Sequence, residues 1–265
     1  MKVQSYKKTK PNAYEVTFDN NQTITLYDDI ILKYELLINN NIDTKKLETI
    51  INDNNQRDAY YKSLKYLSIK MRSKKEIVEY LKKKEFDRKS IDYAINKLYE
   101  DGYLNDKKYI RAYVTDSINL SNHGPNYILY SLKKLGLKEN DIISELSKIN
   151  EKAWLTRIDS IIDKKYKTNK YGINLFKNKI KVYLIQDGYS SELINKVLES
   201  KVFNENNNLE VEAQKVWNKL SQKYIGDELI FRFKNKLYSK GFTQDEINNV
   251  LDKFKWYNYN RWYYV

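Results

Sequence analysis

Apolar positions along this chain change their period once. Tyr14, Val16 and Phe18 alternate with polar residues, and Ile24 and Leu26 alternate again after Asp19-Asn20-Asn21-Gln22. This pattern predicts a β-hairpin with one buried face. A lone hairpin is marginal in water, so a cover is expected from Ile30, Ile31, Tyr34, Leu37 and Ile38, which fall at helical spacing. A short helix should follow from Asp43-Thr44 through Leu47, Ile50 and Ile51. The polar run Asn52-Asp53-Asn54-Asn55-Gln56 then reads as a linker.

From residue 57 onward the period is helical and the chain repeats itself. Leu81-x3-Glu85-Phe86-x4-Ile91-x3-Ile95 returns as Leu132-x3-Gly136-Leu137-x4-Ile142-x3-Leu146. It returns again as Leu184-x3-Gly188-Tyr189-x4-Ile194-x3-Leu198 and as Leu237-x3-Gly241-Phe242-x4-Ile247-x3-Leu251, at offsets of 51, 52 and 53 residues. Ile77, Ile128, Ile180 and Phe233 keep the same register upstream. In each copy a helix should end near the glycine and a second helix begin shortly after it. Thr243-x-x-Glu246 and Ser73-x-x-Glu76 have the form of capping boxes, and Gly124-Pro125 stands at the corresponding start in the second copy. A further helix precedes each pair. The expected fold is therefore all-α: tandem three-helix repeats in an elongated, curved array, with a small N-terminal β-hairpin plus helix module. The divisions fall at 1–56 for the extension and at 57–105, 106–150, 151–202 and 203–265 for four repeats.

Composition narrows the function. The 265 residues include 7 Gly, 2 Pro and no Cys, which favours helices and excludes a disulfide scaffold, thiolate metal ligands and a Cys nucleophile. No apolar run is long enough for a membrane span, and no apolar stretch follows the basic start as a signal peptide would require. A soluble, cytoplasmic, monomeric protein is expected. The formal charge is +13, and it is unevenly placed. Residues 1–56 carry 7 basic and 8 acidic side chains, residues 57–150 carry 20 and 13, and residues 151–265 carry 21 and 14. The helical part thus suits a polyanion or an acidic protein surface. Lys outnumbers Arg 41 to 7, a bias that an AT-rich coding sequence would also produce, and one that favours backbone contact over base-specific readout.

The join between the first two repeats reads Leu98-x3-Gly102-Tyr103-Leu104-Asn105-Asp106-x2-Tyr109, followed eighteen residues after Asp106 by Gly124-Pro125-x2-Ile128-x3-Leu132-x3-Gly136. Together with Arg72-Ser73, this resembles the signature of the RecX family over about residues 57–255. The N-terminal segment resembles the extension of members from Gram-positive bacteria. Glu85 departs from the pattern, a Gly being common there. The resemblance implies a regulator that binds the RecA–DNA filament on single-stranded DNA and limits its extension, ATP hydrolysis and strand exchange, damping recombination and the SOS response. It also implies that some members bind DNA directly, and it implies neither catalysis nor a cofactor. The residues leave open a general DNA-binding module acting through the phosphate backbone.

Candidate binding residues are the basic clusters: Arg72, Lys74, Lys75, Lys82, Lys83, Lys84 and Arg88; Lys107, Lys108 and Arg111; and Lys164, Lys165, Lys167, Lys170, Lys177, Lys179 and Lys181, a run without an acid. The motif positions Ser73, Gly102, Tyr103, Leu104, Asn105, Asp106, Gly124, Pro125 and Gly136 read as structural. Gly102 should cap a helix, Tyr103 and Leu104 pack inward, and Asn105 or Asp106 cap the next helix. The single His123 has no second His or Cys for a metal site and reads as structural or solvated. Glu199-Ser200-Lys201 has a nuclease-like form but ends a helix. The aromatic tail Trp256–Tyr264 is expected to cover the last repeat rather than stack on single-stranded bases.

Overall fold

The computed structural model describes residues 1–38, 41–203 and 206–262, with the side chains of 206–208 and 255–262 excepted. Three strands, β1 (Val3–Lys10), β2 (Ala13–Phe18) and β3 (Thr23–Tyr27), form an antiparallel sheet in the order β1-β2-β3. Then come α1 (Asp28–Lys33), α2 (Thr44–Leu67), α3 (Lys74–Lys83), α4 (Arg88–Glu100), α5 (Asp106–Leu120), α6 (Pro125–Lys134) and α7 (Glu139–Leu146). The remainder is α8 (Glu151–Tyr166), α9 (Ile173–Gln186), α10 (Ser191–Ser200), α11 (Asn206–Leu220), α12 (Gly226–Tyr238) and α13 (Gln244–Trp262). The chain forms two compact units, one of residues 1–113 with 131–142, the other of 114–130 with 143–265. Their boundaries run through α5, α6 and α7. The expected aromatic tail is helical through Trp262, but its side chains lie outside the described residues.

The fold class is as expected, and the hairpin gains a third strand. β1 carries only Val3 and Tyr6 as large apolar residues among lysines and polar groups, so its pattern is that of a charged edge. Val3, Val16, Phe18 and Leu26 pack with Ile30, Ile31, Leu36, Ile42, Leu47 and Ile50. The helical cover is shorter than its spacing predicts. α1 ends at Lys33, and Glu35 turns at φ 52. Leu36 therefore enters the core while Leu37 and Ile38 face solvent.

The expected linker 52–56 is instead the middle of the 24-residue α2. Its polar residues bind the N-terminal module. The buried Asn54 amide donates to the Thr25 carbonyl and accepts from the Tyr27 N–H, both at 3.0 Å, and so continues the hydrogen bonding of β3. The Tyr34 hydroxyl donates to Asp53 at 2.8 Å and the Tyr27 hydroxyl to Asp58 at 2.7 Å, while Arg57 pairs with Asp29. A buried amide satisfied on both sides is stable, where an unpaired one would cost about 1–3 kcal/mol.

The repeated positions are repeated in three dimensions. Leu81, Leu132, Leu184 and Leu237 are fully buried. In all four copies the N–H five residues on (Phe86, Leu137, Tyr189, Phe242) donates back to that leucine's carbonyl at 3.0–3.4 Å, the helix-ending pattern that requires a left-handed residue. Glu85, Gly136, Gly188 and Gly241 hold that place with φ of 62, 82, 89 and 82. Glu85 thus keeps the geometry of the glycine it replaces, at the cost of left-handed strain.

Gly124 is confined to glycine for a reason that helix-start chemistry does not supply. Its N–H donates to the Asp187 carbonyl at 2.6 Å, and a Cβ there would lie 2.6 Å from the carbonyl carbon of Gly188. The same joint recurs further on: the Gly172 N–H donates to the Lys240 carbonyl at 2.9 Å, and a Cβ on Gly172 would lie 2.0 Å from the Gly241 oxygen. At the equivalent first joint Ser73 replaces the glycine, and a Cβ on Gly136 would meet nothing within 4 Å.

These positions order three substitutions by stability. Gly124→Ala should cost about 3 kcal/mol, since backbone must move. Gly136→Ala should cost about 1 kcal/mol, the left-handed penalty alone. Glu85→Gly should stabilise by about 1 kcal/mol. Urea denaturation of the three proteins checks the ranking.

Candidate partner-binding surfaces

The motif around Gly102 is built from helix ends. Gly102 follows α4 with φ 76, and the Leu104 N–H returns to the Leu98 carbonyl at 2.9 Å, which buries Leu104. Asn105 caps α5 by accepting from the Lys108 N–H at 2.9 Å, and Asp106 accepts from the Tyr99 hydroxyl at 2.9 Å. Tyr103 contradicts the inward packing expected of it: it is 58% exposed. The tight return to Leu98 leaves room for only one inward side chain. Tyr103 borders a cleft of about 300 Å³ with Leu67, Met71, Arg72 and Tyr109.

Ser73 and Glu76 form the expected capping box at the start of α3, with Glu76 Oε2 accepting from the Ser73 N–H at 2.8 Å. Arg72 is drawn into the same cluster. It lies 3.4 Å from Glu76 and 4.1 Å over the Tyr66 ring, with its side chain 14% exposed. Its charge is thus committed within the chain. Burial opposes ionisation of Glu76, but donation from Ser73, Arg72 and Tyr109 outweighs it and holds the carboxyl below its usual range.

The other candidate cations remain at the surface. Lys74, Lys75, Lys82 and Lys83 on α3, Lys84 just after it, and Lys107, Lys108 and Arg111 on α5 are exposed. Arg88, at the start of α4, is 95% exposed beside Asp92. Lys75 donates to the Lys134 carbonyl at 2.9 Å.

The acid-free run from Lys164 to Lys181 spans the end of α8, the connection and α9. Lys165, Lys170 and Lys179 converge on a groove of about 390 Å³ floored by Tyr171, Phe176 and Tyr183. Lys165 lies 4.6 Å over Tyr183 and Lys179 4.7 Å over Tyr171, contacts that hold ammonium groups against ring faces. Lys164, Lys167, Lys177 and Lys181 do not line it, and Lys177 instead lies 5.2 Å over Phe203. Three clustered ammonium groups with no carboxylate in the lining fit a chain of phosphates or an acidic surface.

Arg157, which the sequence pattern does not mark, and His123 organise the neighbouring turns. Arg157 on α8 donates to the carbonyls of Ser117 (3.1 Å), Ile118 and Ser121 at the end of α5 and to the Tyr189 hydroxyl (3.0 Å). His123 stacks on Tyr127 with ring centroids 3.7 Å apart, the structural role open to it. Lys201 pairs with Asp159 and Asp163 beyond the end of α10. Among the described residues, no three His, Cys, Asp or Glu side chains are grouped to hold a metal, and no helix is long and apolar enough to cross a membrane.

A family model described as RecX, first three-helix domain, matches residues 59–98, the stretch from mid-α2 to α4. The regulatory protein RecX of Bacillus cytotoxicus is 30% identical over 260 residues, covering 94% of this chain and 96% of the relative. This chain belongs to the RecX family. The RecX regulatory protein of Streptococcus agalactiae is 29% identical over 259 residues, 96% of this chain and 100% of the relative. A crystal structure of regulatory protein RecX matches the fold with TM-score 0.66 at 21% identity, covering 75% of this chain and 99% of that one. A second, of RecX from Lactobacillus salivarius, matches with TM-score 0.51 at 27% identity, covering 55% of this chain and 95% of that one. The RecX relatives are named as regulatory proteins.

The Glu76 cluster has a pH signature. A carboxyl whose folded value is depressed stabilises the fold above its unfolded value, and that contribution is lost as pH falls through the folded value. Stability should therefore decline below about pH 4.5. Glu76→Gln should be less stable at neutral pH and show a shallower acid loss, measured as urea midpoints from pH 7 to pH 3.

Proposed function

We propose that this chain regulates a RecA recombinase, binding the RecA filament on single-stranded DNA and limiting its extension, ATP hydrolysis and strand exchange. The observation that carries this reading is similarity to RecX regulatory proteins over 92–96% of the chain. The work is binding rather than bond-making: apart from Arg72, Lys177 and Lys181, the candidate basic residues are exposed cations spread over several helices. Such a surface suits an extended, negatively charged partner.

A second reading is favoured by the groove of Lys165, Lys170 and Lys179: contact with phosphate backbone, so that any effect on recombination arises by competition for DNA. Replacing these three lysines with Gln should lower the salt slope of single-strand binding by about 2, roughly 0.7 for each phosphate that is no longer neutralised. An unchanged slope would remove the groove from that reading.

The two readings separate in one assay. ATP hydrolysis by the cognate RecA, preassembled on single-stranded DNA, is followed as this chain is titrated in. Inhibition well below one chain per RecA and undiminished by extra free DNA is expected. Inhibition that free DNA abolishes would support competition for DNA instead.

A further inference from the structure

A second groove, of about 600 Å³, lies between the β1–β2 turn and the α2–α3 pair. Its rim carries Lys10 from the N-terminal module, Lys65 from α2 and Lys84 from the end of α3, and its floor includes Tyr66, Ile69 and Tyr80. None of the three lysines makes an ion pair among the described residues, and all three are exposed. The only carboxylate in the lining, Asp58, is already engaged by the Tyr27 hydroxyl and Lys62.

The floor contains an unfinished stack. The Tyr66 and Tyr80 rings lie 4.2 Å apart and within 9° of parallel. The Arg72 guanidinium sits 4.1 Å from the Tyr66 centroid. Two groups that close to one ring must take opposite faces, so Arg72, Tyr66 and Tyr80 form three successive layers. Tyr80, the last ring of the series, is half-buried and borders the groove. Beside it Ile69 leaves 75% of its surface in water, a cost that an apolar or planar occupant would relieve.

The occupant must therefore offer a flat π face and negative charge together. A nucleotide supplies both from one unit, a base for the ring and a phosphate for the lysines. A duplex presents the charge but keeps its bases stacked inside. An acidic peptide presents charge without a planar group at each step. We propose that this groove binds single-stranded nucleic acid, with a base stacked on the free face of Tyr80 and the backbone along Lys10, Lys65 and Lys84. The N-terminal module then completes a binding site by supplying one wall of it. The proposal involves no second protein and no residue of the α8–α9 groove, so it can fail while both readings above stand.

The test is fluorescence anisotropy of the full chain with a labelled oligothymidylate across a salt series, with no recombinase present. An abasic strand and a duplex of equal length serve as alternative ligands. The abasic strand and the duplex should each bind about tenfold more weakly, as expected from loss of base stacking. Lys10→Gln, Lys65→Gln and Lys84→Gln combined should lower the salt slope by about 2. Ile69→Glu, at a position open to solvent, should weaken binding about tenfold with thermal stability unchanged. Wild-type affinity and slope in both variants, with binding lost only when Lys165, Lys170 and Lys179 are replaced, would overturn the proposal. Equal affinity for abasic or duplex ligands would overturn it too. Absence of any oligonucleotide binding would overturn it in favour of an acidic protein segment.

Discussion

Successive turns in the second unit touch backbone to backbone. The N–H of Gly124 reaches the carbonyl of Asp187, that of Gly172 reaches the carbonyl of Lys240, and neither glycine has space for a methyl group. This joint sets how closely one helix pair approaches the next, because a peptide hydrogen bond fixes distance and direction together. The buried leucines and isoleucines around it can then interlock. Apolar packing supplies most of the stabilisation but tolerates exchange of shape and volume. The glycine joint does not. Arg157 reinforces the same region by satisfying carbonyls at the end of α5 that the helix leaves unpaired.

The N-terminal module uses a different joint. Its sheet is small, and its outer strand β3 ends on the Asn54 side chain rather than on another strand. An amide side chain has the donor and acceptor of a peptide, so one asparagine can close a sheet edge against a helix. The tyrosine and arginine contacts to Asp29, Asp53 and Asp58 lie along the same face of α2. One helix thus serves both the module and the first helical triplet. That sharing also brings the β1–β2 turn beside α3.

Lysine and tyrosine are abundant in this chain, and the fold combines them in a consistent way. Ammonium groups lie over ring faces at Lys165–Tyr183 and Lys179–Tyr171, and lysines rim the groove that contains Tyr66 and Tyr80. Rings hold the long, flexible side chains near one place without neutralising them. Arg72 shows the opposite use. Its guanidinium is spent on Glu76 and Tyr66, which makes it part of the framework.

The sequence alone determined the helical class, the fourfold register of buried residues and the left-handed turn after each repeated helix. All of these follow from local rules, a period near 3.6 and the geometry of helix ends, which leave regular marks on a chain. Glu85 obeys the turn geometry even without glycine. The tertiary structure decided what depends on a partner distant in sequence. β1 is a strand because β2 lies beside it, although its own residues look like a charged loop. Residues 52–56 are helical because Asn54 has a strand edge to satisfy. Gly124 is needed because Gly188 arrives against it, 64 residues later. Tyr103 faces outward because Leu104 takes the only inward place. Of the seven basic residues from Lys164 to Lys181, three share a groove formed where α8, its connection and α9 come together. A pattern of residue types records which side of an element is buried, but not what lies opposite it.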